Sequence, residues 1–148
     1  MKFKEQALKI TTILSAFLLL APITFMLIIS AIMLVTRGKI LVDILIPLEV
    51  FPIVLTGAGI LTLIACKINV YKKRICSMSI ALVAMLIGGQ YLAIVTGLAD
   101  GSTPASGWPL IIVMSTIIVY DILTIVIGIY GIRIYQHLKI QKAVTESK

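Results

Sequence analysis

The sequence predicts an all-α integral membrane protein, a four-transmembrane-helix up-down bundle with N- and C-termini cytoplasmic, forming one membrane domain over residues 1–148. Three observations predict it. Hydrophobic residues make up 60% of the chain and charged residues only 13%, with a mean hydropathy of +1.15, whereas soluble domains carry roughly half and a quarter. Four predominantly apolar stretches, 13–35, 44–66, 76–98 and 109–132, each exceed the roughly 20 residues that a helix needs to cross about 30 Å of hydrocarbon. The pieces left over, at the two ends and between the stretches, are too short for a folded extramembrane domain. A soluble enzyme, a receptor ectodomain and a nucleic-acid-binding domain are thereby excluded.

The first stretch begins like a secretory signal, with Lys2, Lys4 and Lys9 before an apolar run. That run continues from Ile13 to Val35 without a polar, small-residue cleavage region, so it reads as a retained span. The second stretch carries Pro47 and Pro52 on either side of Glu49. The third follows the basic connection between Cys66 and Cys76, whose spacing fits neither a redox pair nor a zinc site, so interfacial packing is expected of both thiols. The fourth follows a connection rich in Gly, Ser, Pro and Thr that ends in Trp108 and Pro109, an interfacial anchor and a helix-start residue. Arg133, His137 and Lys139 are expected to continue this last helix beyond the apolar stretch.

Of the thirteen basic residues, eleven fall in the N-terminal piece, the second connection or the C-terminal tail, and only Arg37 and Lys39 in the others. Positive residues stay cytoplasmic, which sets the expected orientation. The net charge of +7 is read as a topology signal, and no nucleic-acid partner is expected.

Helices in lipid associate through close packing of small residues and through hydrogen bonds. Small and polar residues are therefore expected to mark the inner faces. In the first span these are Ala21, Thr24, Ile28, Ala31 and Val35; in the second, Glu49, Pro52, Thr56, Gly59, Leu63 and Cys66, with Gly57 beside them. In the third they are Gly89, Ala93 and Gly97, next to Gln90; in the fourth, Asp121, Thr124, Gly128, Gly131 and Tyr135.

Two acids lie within spans, and an intramembrane charge is expensive enough to raise a functional question. Counted from Pro109 at about 1.5 Å per residue, Asp121 lies roughly 18 Å into its helix. Glu49 lies near the outer end of its span, within reach of Arg37 and Lys39, with which a rim ion pair is expected. The four spans contain no Lys, Arg or His, so the neutral form of Asp121 is expected, with Thr24, Thr56, Gln90 or a tyrosine as hydrogen-bond partner. The ionisable or ion-binding candidates are thus Asp121, Glu49, Gln90 and Thr56. His137 is the only histidine, so no catalytic residue, metal site or cofactor is expected.

Chain length and span number are similar to those of small multidrug transporters, but the acid that defines that family lies in the first span, and 13–35 contains none. The expected function is an accessory or regulatory subunit in a bacterial plasma membrane, with another membrane protein or a second copy of itself as partner besides the lipid bilayer. The competing expectation is an oligomeric proton- or ion-coupled transporter or channel.

Overall fold

The computed structural model describes residues 2–37, 51–99 and 107–146, all built around four helices: α1 (Lys2–Arg37), α2 (Phe51–Ile68), α3 (Lys72–Val95) and α4 (Gly107–Glu146). Each contains a segment long and apolar enough to cross a membrane. The fold is consistent with a four-helix bundle in a multi-pass membrane protein. Glu49, Lys39 and Pro47 lie outside the described residues.

The helices overrun the apolar stretches at several ends. α1 begins at Lys2, and α4 runs through Arg133, His137 and Lys139 to Glu146, since basic side chains can stay helical while their heads reach water. Between α2 and α3 only Asn69, Val70 and Tyr71 remain outside helices. Asn69 (φ 57°) and Tyr71 (φ 54°) both adopt the left-handed conformation that turns the chain back. Asn enters that region readily; Tyr does so only when its surroundings hold it.

Neighbouring helices pack in chain order around a ring, with α1 also against α4 and α2 closer to α4 than α1 is to α3. The α3–α4 pair is antiparallel: Arg74, near the start of α3, meets Tyr130, whereas Gly89, near its end, lies against Thr116, which precedes Tyr130 on α4. α1 and α4 are antiparallel too, with Ala16 facing Gly131 and Leu20 facing Gly128. The core consists of Leu19 from α1, Val54, Ala58 and Leu61 from α2, Ile75 and Leu82 from α3, and Ile127 and Ile134 from α4 among others.

Two of the expected inner faces are corrected. In α1 the buried residues are Thr12, Ser15, Ala16, Leu19 and Ile23, whereas Thr24, Ile28, Ala31 and Val35 are exposed. In α2 they are Val54, Gly57, Ala58, Leu61, Ile64 and Ala65, while Pro52, Thr56, Gly59 and Leu63 point outward. Hydroxyls do not mark the buried face, because exposed and buried ones alike bond to their own helices: buried Thr12 and Ser15 donate to the Leu8 and Thr11 carbonyls at 2.7 Å. Thr24 donates to the Leu20 carbonyl at 2.8 Å and Thr56 to that of Pro52 at 2.7 Å, so neither needs a partner on another helix. On α4, Thr124, Gly128 and Gly131 are buried as expected, and Asp121 and Tyr135 half-buried.

Gly97 has a different place from the expected packing ridge. It follows the C-cap Thr96 with φ 71°, and the amide of Leu98 donates to the Ala93 carbonyl at 3.0 Å. This is the left-handed glycine that ends a helix by satisfying its last carbonyls. α3 therefore stops at Val95, short of the end of the apolar stretch at Leu98.

Candidate functional site

The middle of α4 holds Asp121, and its helix places it at the flank of the buried face rather than at its centre. Thr124, Ile127, Gly128 and Gly131 define that face, and a residue three positions before Thr124 is turned about 60° from it at about 100° per residue. Asp121 is accordingly half-buried. Among the described residues its carboxyl makes no hydrogen bond or ion pair. Thr24 and Thr56 are exposed and bonded to their own helices. Gln90 is half-buried on α3, and no hydrogen bond joins it to Asp121. Among the described residues no hydrogen bond links Asp121, Gln90 and Thr56.

The residue next to the acid was not expected. Tyr120 packs its ring against the core, and its hydroxyl is buried with no hydrogen-bond partner. One turn on, Thr124 Oγ1 donates back to the Tyr120 carbonyl at 2.9 Å. A phenol at a position adjoining a membrane acid is the sequence signal that would have pointed here. The carboxyl and the phenolic hydroxyl stand at neighbouring positions of α4, about 100° apart around the helix. Among the described residues no three His, Cys, Asp or Glu side chains cluster as a metal site would require.

A second polar cluster lies at the end of the bundle that holds both termini of the chain. Arg74 donates through Nη1 to the Tyr130 hydroxyl at 3.2 Å, and the guanidinium of Arg133 stands 5.9 Å from the centre of the same ring. The Tyr71 ring lies 5.2 Å from that of Tyr130, inclined at 56°. The left-handed backbone of Tyr71 thus delivers its side chain across to α4. Cys66 and Cys76, near this end, are free and half-buried.

Small residues make the closest helix contacts. A Cβ at Gly131 would lie 3.1 Å from Ala16 Cβ, and one at Gly89 would lie 3.1 Å from Thr116 Cγ2. Ala93, one turn after Gly89, is half-buried. Around Gly59 and Gly88 there is instead open space. A shallow hollow of about 380 Å³ is lined by Lys72, Lys73, Cys76, Ser77 and Ile80; all five belong to α3, so it is an outer helix surface and not an enclosed chamber. Compared with protein-family models, with curated proteins and with solved structures, the chain matches none of them.

Proposed function

We propose that this protein is a small non-enzymatic subunit of a bacterial plasma membrane, with both termini cytoplasmic, that accompanies or regulates a larger membrane complex by packing helix faces against it. The outward face of α3 carries the reading. Only Ile75 and Leu82 of this helix are buried. On the opposite side Ser77, Ala81, Ala84 and Gly88 follow steps of four, three and four, and nothing stands within 4 Å of a Cβ built on Gly88. A glycine inside a helix costs about 1 kcal/mol relative to alanine. Lipid contact gives no return for that cost, whereas close approach of another helix backbone does.

A photoreactive side chain at Ala84 tests the reading. In native membranes it should form a discrete protein adduct, and Gly88→Leu should abolish that adduct while leaving the isolated protein as stable as before. Exclusive labelling of lipid would overturn the proposal.

A second reading, a proton- or ion-coupled transporter or channel centred on Asp121 with Glu49 as a further candidate, is supported by the half-buried Asp121 carboxyl, which has no hydrogen-bond or ion-pair partner among the described residues. Purified protein in liposomes distinguishes it: a proton or cation flux lost on Asp121→Asn would establish transport, and no flux with the native chain would remove it.

A further inference from the structure

We propose that Arg74 and Arg133, brought onto one tyrosine ring from two different helices, hold the phosphate of an anionic phospholipid at the edge of the bilayer. The two cations approach the same phenol, one at its hydroxyl (3.2 Å) and one over its ring (5.9 Å). Among the described residues neither meets a carboxylate. Like charges gathered without a counter-charge repel one another, and an anion between them reverses the sign of that interaction. Guanidinium groups suit phosphate because their planar N–H forks match its oxygens in pairs.

The chain segments at this end carry eleven of the thirteen basic residues against two acids, Glu5 and Glu146, so they cannot neutralise themselves. Tyr71 completes the frame by packing its ring, inclined, against that of Tyr130 with the centres 5.2 Å apart. Both arginines and Tyr71 are exposed, so a ligand can enter from the bilayer edge without the helices moving.

A lipid fits better than a soluble anion because of what lies deeper on α4. Ile129, Ile122 and Val119 stand four, eleven and fourteen positions before Arg133, on the face that Arg133 occupies, and all three are exposed. The site therefore offers cations at the rim with an apolar track leading toward the bilayer centre, the polarity of an acidic phospholipid. This inference is independent of the accessory reading and of which side of the membrane this end faces.

The test uses the full chain in mild detergent, stripped of lipid and titrated with phosphatidylglycerol, with phosphatidylcholine of the same acyl chains, or with inorganic phosphate; native mass spectrometry counts the molecules bound. Phosphatidylglycerol should bind in preference to phosphatidylcholine. The double variant Arg74→Gln/Arg133→Gln should weaken phosphatidylglycerol about 30-fold, the contribution of two cations near an anionic head group. The double variant Lys73→Gln/Lys139→Gln removes the same charge from exposed positions at the same end and should weaken it no more than about threefold, as screened, non-contacting charges do.

Equal losses in the two double variants would mean a diffuse basic rim and overturn the site. Equal binding of the two lipids would overturn charge recognition, and displacement of phosphatidylglycerol by equimolar inorganic phosphate would overturn the lipid assignment. Should the glutamine pair fail to fold by circular dichroism, Arg74→Lys/Arg133→Lys carries the test, since it keeps both charges and loses the forks. Phosphatidylglycerol binding weaker than that of the native chain is then expected, and unchanged binding overturns the proposal.

Discussion

The backbone carbonyl of Ser15 lies where a side chain on Gly57 would begin: a Cβ built on Gly57 would come within 3.1 Å of Ser15 O and 3.2 Å of Leu18 Cβ. Both atoms belong to the rigid part of α1, so they cannot rotate aside as a side-chain tip would. Gly57→Ala should therefore push α1 and α2 apart and destabilise the protein by about 1 to 3 kcal/mol, the usual range for overpacking. Gly59, two positions on, has open space around it, and Gly59→Ala should be neutral or stabilising by up to about 1 kcal/mol through helix propensity. Thermal unfolding of the two variants in detergent checks the contrast. Equal stability would mean that α1 and α2 do not meet at Gly57.

The Thr62 and Ser79 hydroxyls are 2.9 Å apart and join α2 to α3. Thr62 also donates to its own Ala58 carbonyl at 2.7 Å, which leaves Ser79 as the donor across the interface. A double-mutant cycle with Thr62→Val and Ser79→Ala should give a coupling of about 0.6 kcal/mol, the average for hydrogen bonds between membrane helices. A coupling of zero would remove this bond from the packing of the hairpin.

Asp121 and Tyr120 should respond differently to loss of their polar groups. Asp121→Asn should change stability by less than about 0.5 kcal/mol, because the carboxyl has no bond among the described residues to lose. Tyr120→Phe removes a buried hydroxyl without a partner and should stabilise the protein by roughly 1 kcal/mol, since an unsatisfied polar group is costly. Destabilisation by Tyr120→Phe would instead show that the hydroxyl has a hydrogen-bonding partner in the folded protein.

Orientation is read from the unequal division of basic residues, and cysteine accessibility measures it. With Cys66 and Cys76 replaced by serine, Ser102→Cys should react with a membrane-impermeant thiol reagent added outside intact cells, and Ser147→Cys should not. The opposite pattern would invert the topology.

Replacing Ala93 by leucine places a bulky group on the half-buried side of α3, one turn from the contact between Gly89 and Thr116. A loss of about 1 to 3 kcal/mol is expected in detergent unfolding, against a mild effect for Leu92→Ile. No loss at Ala93 would place that side of α3 toward lipid.

Four helices were legible in the sequence because their existence depends only on composition and length. A segment of some twenty apolar residues in a bilayer must satisfy its backbone internally, and a helix does so with no help from its neighbours. The α4 face was legible as well, since Thr124, Gly128 and Gly131 follow a helical spacing and the two glycines leave room for the side chains of Leu20, Ala16 and Leu61. Tertiary structure alone decided the inner faces of α1 and α2. Lipid and protein interior are equally apolar, so exposed Ile28 and buried Leu19 look alike in sequence. Nor do hydroxyls mark the inside, because Thr24 and Thr56 bond to carbonyls one turn back on their own helices. The convergence of Arg74 and Arg133 on Tyr130 was equally hidden: it arises from the antiparallel register of α3 and α4, which brings Arg74 and Tyr130 together across 56 positions of sequence.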